Sequence, residues 1–487
     1  MPGVGGAGRR NVRTFWIVGL VALLLAGGAV VFVLRPGPLK GWLSAEPAAT
    51  PTSRPSPDPT PTPVLKAAAD GTMPNATALA AALGPLVSAR ALGTQVNVAV
   101  ADAQTGQQLY ARNADAMTTP ASTTKLLTAT AVLAARGPAY RLTTRAVAGP
   151  EPGEVVLVGG GDPTLAINAS VQQFPGSARL DQLAAQVKAA LGGAKPTRVV
   201  IDTSLFSGPA TATGWDPSDI SPGGQVAAIQ PLMTNAGRIK PVHHEEGADP
   251  RYLDPALAAG KAFARQFGVT TIVTRGRAPL APATPASGTP ASTAIVPGTQ
   301  LGAVQSPPLV QILDWMLQQS DNVIAEMMGR QVALAAGKPA SFEGATSAII
   351  DKLGALGLES DEADLYDASG LSRHDGISPS LLTQVLALAA SGKQPAVTNL
   401  FGGLPVAGWS GTLETRFVTP SANRVGQGVV RAKTGSLTGV NTMAGELMTK
   451  DGRLLVFAIM ANGSANAAIA RAALDRVVAR MVDCGCR

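Results

Sequence analysis

Pro120-Ala121-Ser122-Thr123-Thr124-Lys125, running on into Leu126 and Leu127, is the stretch on which the reading of this chain turns. A helix from near Ser122 to about Arg136 puts residues three apart on one face, so the Ser122 hydroxyl and the Lys125 amine meet. Lys125 faces a core, and burial disfavours the charged ammonium. A neutral amine can take the serine proton, which makes the hydroxyl a nucleophile. The helix start also offers backbone N–H groups to a developing oxyanion. Taken alone, the spacing equally fits an N-capping serine beside a surface lysine.

Two further constellations lie downstream. Ser320-Asp321-Asn322 falls between helices expected over 309–319 and 322–336. A loop serine can relay a proton and an asparagine can hold an amide; an ordinary helix cap is the plain alternative. Lys433-Thr434-Gly435-Ser436 stands at the end of a strand expected over 430–433. A cation with hydroxyls at a strand edge suits a carboxylate, and glycine lets a backbone approach; a strand ending in a turn is the alternative. Each is weak in isolation. Their order, Ser-x-x-Lys, Ser-Asp-Asn, Lys-Thr-Gly, each in its own setting, resembles the signature set of penicillin-binding proteins and serine β-lactamases.

Ser122 and Ser320 are 198 residues apart, which is long for a β-lactamase. The chain resembles the low-molecular-mass class C penicillin-binding proteins, the D-alanyl-D-alanine carboxypeptidase and endopeptidase family, which carry inserted domains between these motifs. Gly159-Gly-Gly-Asp-Pro-Thr-Leu165, Tyr366-Asp-Ala-Ser-Gly-Leu-Ser372-Arg373, and Leu404-Pro-Val-Ala-Gly-Trp-Ser-Gly-Thr-Leu413 with Arg416 look like that family too. The resemblance spans about 75–482. It implies an α/β, multi-domain chain with a serine β-lactamase/transpeptidase-like fold: an antiparallel sheet flanked by helices, plus an inserted domain region.

The resemblance also implies roles. Ser122 would attack the penultimate D-Ala carbonyl of a peptidoglycan stem peptide and form an acyl-enzyme. Lys125 would be the general base. Ser320 would pass a proton to the leaving D-Ala, and Asn322 would hydrogen-bond the substrate amide. Lys433, Thr434, Gly435 and Ser436 would form the substrate-binding strand, with Lys433, Thr434 and Ser436 on the terminal carboxylate. The backbone N–H groups of Ser122 and Ser436 would make the oxyanion hole. β-Lactam antibiotics would acylate Ser122 and leave slowly. Cross-link endopeptidase activity would be an extra, and neither metal nor cofactor is implied. Ser436 stands where many relatives have threonine, which keeps the hydroxyl. A β-lactamase or esterase of the same fold, and a catalytically silent wall-binding protein, are the rival readings.

The rest of the chain frames these motifs. Helices are expected over 75–92, 181–191, 255–267, 340–356, 379–391 and 465–482. Strands are expected over 95–101, 107–111, 154–158, 197–202, 269–274, 439–449 and 453–461, with a low-complexity Ala/Pro/Thr loop over 278–298. The expected division is a cytoplasmic tail 1–14, a transmembrane signal anchor 15–34 and a Pro/Thr-rich linker 35–74. The catalytic domain then comes as two segments, 75–145 and 300–487, separated by an inserted region 146–299.

The anchor rests on 20 uncharged residues from Phe15 to Leu34, preceded by Arg9, Arg10 and Arg13. A single-pass protein with its catalytic body on the extracytoplasmic side follows, or a secreted one if cleavage occurs near 44–49. The first 40 residues hold five cations and no acid out of a net charge of +7, so the body is near neutral and nucleic-acid binding is not indicated. Cys484 and Cys486 sit at the C-terminal end, as a local bridge or as free thiols. His243-His-Glu-Glu246 lacks a zincin spacing and reads as a solvated loop. With His374 these are the only histidines, and no Gly-x-Ser-x-Gly elbow exists, which argues against a Ser-His-Asp hydrolase.

Overall fold

The computed structural model describes residues 71–243, 249–269, 273–281 and 295–486. The expected tail, anchor and most of the linker lie outside the described residues. So do the middle of the strand expected over 269–274 and most of the 278–298 loop. Among the described residues no helix is long and apolar enough to cross a membrane.

In chain order the strands are β1 Gln95–Asp102, β2 Gln108–Arg112, β3 Thr143–Ala148, β4 Glu154–Val158, β5 Arg198–Asp202, β6 Thr274–Arg275, β7 Gln300–Gln305, β8 Ala363–Asp364, β9 Gly376–Ile377, β10 Val430–Leu437, β11 Val440–Met448 and β12 Leu454–Asn462. The longer helices are α1 Ala76–Val87, α2 Thr124–Arg136, α3 Leu180–Ala190, α4 Pro255–Arg265, α5 Leu309–Gln318, α6 Asn322–Ala335, α7 Phe342–Ala355, α8 Pro379–Ala390 and α9 Ala467–Val482. The helix expected over 75–92 stops at Val87. A separate 3₁₀ turn, Arg90–Leu92, then leads through Gly93 at φ +103° into β1. A side chain on Gly93 would fall 2.4 Å from the Asn462 carbonyl oxygen, so the turn requires glycine.

The central sheet has the order β10-β11-β12-β1-β2 and is antiparallel throughout. β1 lies beside β12 with Val98 opposite Ile459, which joins the two ends of the described chain. Side chains alternate along each strand. Val456, Ala458 and Met460 face the core built with α2, α5, α6, α7 and α8. Leu455, Phe457, Ile459 and Ala461 face the core built with α1 and α9. α2 lies inside, buried over ten consecutive residues from Thr124 to Leu133.

A second, mixed sheet has the order β6-β5-β4-β3-β7. Val155, Leu157, Val199 and Ile201 pack there against Leu183 and Val187 of α3 and Ala259 and Phe263 of α4. Its strands run from Thr143 to Gln305, a little wider than the expected 146–299. β3 and β7 went unread because Thr-Thr-Arg and Gln-Leu-Gly lack an apolar alternation. Pairing with each other, Thr143 opposite Gln305, makes them strands and brings the incoming and outgoing chain side by side. β10 also differs from expectation. It continues to Leu437, so the Lys-Thr-Gly-Ser motif lies inside a strand rather than at its end. Cys484 and Cys486 are bridged.

α9 is tied to the loop before β10 by Arg416, whose Nε and Nη2 donate to the Asp475 carboxylate at 3.0 and 2.7 Å. Phe417 N donates to the same carboxylate at 3.2 Å. Removing the acid leaves a largely buried guanidinium with only the Arg471 carbonyl to bond, and the Phe417 amide without a partner. Asp475→Ala is therefore expected to lower stability by about 2–4 kcal/mol, read as a fall in the chemical denaturation midpoint. An unchanged midpoint contradicts the role given to this pair.

Candidate active site

α2 is entered through a 3₁₀ turn, Ala121–Thr123, with Ala121 at φ +48°. That conformation is costly for alanine and sets Ser122 at the head of the buried helix. Lys125 lies one turn on and is fully buried. As an ammonium its Nζ donates to Ser122 Oγ at 2.9 Å, to Asn322 Oδ1 at 2.6 Å and to the Ser369 carbonyl at 2.8 Å; as a neutral amine it keeps two of these as donor and turns its lone pair to the third. The Asn322 orientation follows from its other contact: Nδ2 donates to the Gln225 carbonyl at 3.0 Å, and a carbonyl can only accept. Burial pulls the Lys125 amine down to about 8, against the opposing pull of Asp367, Glu326, Asp321 and Asp375.

Ser320 joins α5 to α6 at φ +55°, a second strained position in the same site. Asp321 follows as the cap of α6, its Oδ1 accepting from Ile324 N at 3.0 Å. Its Oδ2 forms an ion pair with Arg238 Nη1 at 2.8 Å, and both side chains are buried. Arg238 also donates from Nε to Asp249 Oδ2 at 2.7 Å. Burial opposes charge on Asp321, but Arg238 and Arg251 override it and hold the carboxyl well below its usual range.

Gly435 explains how β10 reaches Ser122. A Cβ there would fall 2.2 Å from Thr442 Oγ1, 2.7 Å from the Pro120 carbonyl oxygen and 3.0 Å from Ser122 N. The glycine therefore accommodates the chain's own Ser122 turn. Thr442 fixes that turn by donating to the Pro120 carbonyl at 2.8 Å. Thr434 Oγ1 lies 2.7 Å from Thr412 Oγ1. Lys433 is buried, and its Nζ donates to the Thr434 carbonyl at 2.7 Å rather than facing solvent. Burial and the nearby Lys125 amine push Lys433 well below the usual lysine range.

The expected residues are thus brought together unevenly. Ser122, Lys125 and Asn322 are in direct contact, and Gly435 packs on the Ser122 turn. Ser320 makes no hydrogen bond to Ser122 or Lys125; it adjoins them through Asn322. Ser436 is exposed on β10. His243 is no free loop residue: its Nδ1 lies 3.0 Å from Arg238 Nη2 and 3.4 Å from Asp249. Residues 244–246 lie outside the described residues. Among the described residues no group of three His, Cys, Asp or Glu side chains could hold a metal ion.

The family model for D-Ala-D-Ala carboxypeptidase 3 (S13) matches residues 79–271 and 252–481. The chain belongs to that family. The S13 chain is a serine-type D-Ala-D-Ala carboxypeptidase, a hydrolase. It is 41% identical to carboxypeptidase DacB of Mycolicibacterium smegmatis over 370 residues, covering 75% of this chain and 76% of that one. It is 40% identical to a carboxypeptidase of Mycobacterium tuberculosis over 371 residues, with 75% and 76% covered. Its fold is similar to the solved penicillin binding protein 4 of Haemophilus influenzae, with a TM-score of 0.60, 23% identity, and 84% and 98% of the two chains covered.

Several residues that build this S13 site were not read from the sequence. Asp367 accepts from Ser369 N, Gly370 N, Ser372 N and Trp215 Nε1 at 2.6–2.9 Å, and so shapes the loop that presents the Ser369 carbonyl to Lys125. Glu326 is buried beneath Lys125; burial, then Asp367, raises it to about 8 against the pull of Arg330. A signal existed for both: Asp367 sits in the quoted 366–373 stretch, and Glu326 is one turn past Asn322 on a mostly apolar helix. Arg238 and Gln225 had none.

Asp321→Ala takes one of two carboxylate partners from the buried Arg238, leaving only Asp249, and is expected to cost about 3 kcal/mol. Because the folded carboxyl titrates below its unfolded value of about 3.9, the parent keeps this contribution above roughly pH 4 and loses it as pH falls further. Denaturant titrations of both proteins at pH 7 and pH 3 test this: the stability gap should narrow in acid, and a constant gap contradicts it.

Proposed function

We propose that the protein removes the terminal D-Ala from peptidoglycan stem peptides through an acyl-enzyme on Ser122. The observation that carries the reading is the 2.9 Å contact between Ser122 Oγ and a buried Lys125 amine drawn down to about 8. A neutral amine has two N–H bonds and one lone pair. Asn322 Oδ1 and the Ser369 carbonyl accept the two N–H bonds, which leaves the lone pair for the Ser122 hydroxyl.

Ser122 Oγ attacks the penultimate D-Ala carbonyl carbon while its proton passes to Lys125. The carbonyl electron pair moves onto oxygen, facing the N–H groups of Ser122 and Ser436. On collapse the C–N bond breaks, and the departing D-Ala nitrogen takes the proton by way of Ser320. Water, deprotonated by Lys125, then releases the acyl group and restores the serine. Asn322 acts first by holding Lys125. Thr434 and Ser436, on one face of β10, receive the terminal carboxylate, and Lys433 supports that strand from beneath. A β-lactam carbonyl takes the same path to Ser122.

The N-terminal segment supports a single-pass signal anchor, Phe15 to Leu34, behind Arg9, Arg10 and Arg13, with the body on the extracytoplasmic side where its substrate lies. Cleavage near 44–49 would give a secreted form instead.

The full chain and Ser122→Ala, incubated with a fluorescent penicillin, test the assignment. A stable label on the parent, none on the variant, and free D-Ala from an acyl-D-Ala-D-Ala peptide are expected. Rapid loss of label would favour a β-lactamase, and no label on folded parent a wall-binding protein.

The base adds a pH signature. Acylation is expected to rise with pH and level off above an apparent pKa of about 8, as Lys125 loses its proton. Lys125→Arg keeps the charge and should lose about 10²–10⁴-fold in acylation rate. A flat profile between pH 6 and 9 would remove Lys125 as the base.

A further inference from the structure

Arg471 stands in the second turn of α9 and is exposed. Its Nη2 donates to Ser436 Oγ at 3.3 Å. Ser436 is two residues beyond Thr434, so the two hydroxyls share a face of β10, an edge strand of the central sheet. The root of Arg471 is fixed: its carbonyl accepts from Arg416 Nη2 at 3.0 Å. Asp475, one turn further along α9, is already forked by Arg416. Among the described residues no carboxylate pairs with Arg471. A guanidinium carries five N–H donors in a plane, so the Ser436 bond leaves the fork free to take an anion.

The other cations near this row are placed differently. Lys433 is buried with its amine on the Thr434 carbonyl. Arg431 is five residues back along β10, about 16 Å from Ser436. Arg416 is spent on Asp475. Arg373 Nη1 reaches the Thr438 carbonyl at 3.3 Å, past the end of the strand.

We propose that Arg471 is the charged residue that binds the terminal carboxylate of the D-Ala-D-Ala peptide, together with the hydroxyls of Thr434 and Ser436. In the free protein Ser436 Oγ holds the fork where the carboxylate will sit. This rests on the acyl-enzyme reading above, which places the carboxylate at that strand. The recognition is specific to a free acid end: a peptide whose terminal carboxyl is a carboxamide meets the same hydroxyls but has no charge for Arg471.

The test uses the full chain, an acyl-D-Ala-D-Ala peptide and its C-terminal carboxamide, with kcat/KM measured for both. In Arg471→Gln the ratio of free acid to carboxamide should fall about tenfold or more, mostly through KM for the acid. Arg471→Lys, with charge but no fork, should keep an intermediate ratio, and it decides the matter if the glutamine variant does not fold. An unchanged ratio in both variants overturns the proposal. So does a collapse of the ratio in Arg373→Ala with Arg471 variants unaffected, which would move the role to Arg373. A parent that labels with penicillin at Ser122 but ignores Arg471 sinks only this inference. A folded parent that neither labels nor releases D-Ala sinks the acyl-enzyme reading and this one with it.

Discussion

The site depends on one amine kept out of water. Lys125 is buried on a helix that is itself buried, and an ammonium there would be costly to desolvate. Four acids within electrostatic reach offset some of that cost, yet burial prevails and the amine sits at about 8. Its neighbours make this state usable. Two acceptor-only oxygens, Asn322 Oδ1 and the Ser369 carbonyl, come from segments 197 and 244 residues away in sequence. This arrangement around Lys125 therefore exists only when α2, α6 and the 366–373 loop are packed together.

That packing reaches into the stretch of chain that forms the second sheet. The Ser-Asp-Asn turn is locally strained at Ser320, and local contacts alone would not hold it. Asp321 is fixed by Arg238, and Asn322 by the Gln225 carbonyl, both contributed by the segment between β5 and α4. Trp215 from the same segment holds Asp367. The segment between β5 and α4 thus supplies partners to two of the three segments around Lys125, and so helps to orient that amine.

How much of this could be read from sequence depends on the range of the forces involved. Ser122, Lys125 and the helix after them are a local pattern, three residues apart, and were legible. The three closing strands were legible because Leu455 to Ala461 is a long apolar run. β3 and β7 were not, because each becomes a strand only against the other, across more than 150 residues. The reach of β10 past Lys433 was missed for a related reason: Gly435 is a poor strand residue, and the ladder from Thr434 opposite Met443 to Leu437 opposite Val440 overrides it. The partner of Asp321 was invisible, since an arginine 83 residues upstream carries no local mark.

The same geometry bears on why acylation by a peptide and by a β-lactam end differently. In the acyl-enzyme proposed above the Ser122 hydroxyl proton is gone, and among the described residues Lys125 is the amine in contact with that oxygen. Hydrolysis requires a water at the position from which the leaving nitrogen departed. A peptide frees that position, because D-Ala is a separate molecule once the C–N bond breaks. In a β-lactam the leaving nitrogen remains joined to the acyl group through the opened ring. On the proposed mechanism it would stay beside Ser320 and β10 and block the approach of water. On the proposed mechanism, a site that relies on one buried lysine for both steps would turn over its peptide and retain its inhibitor.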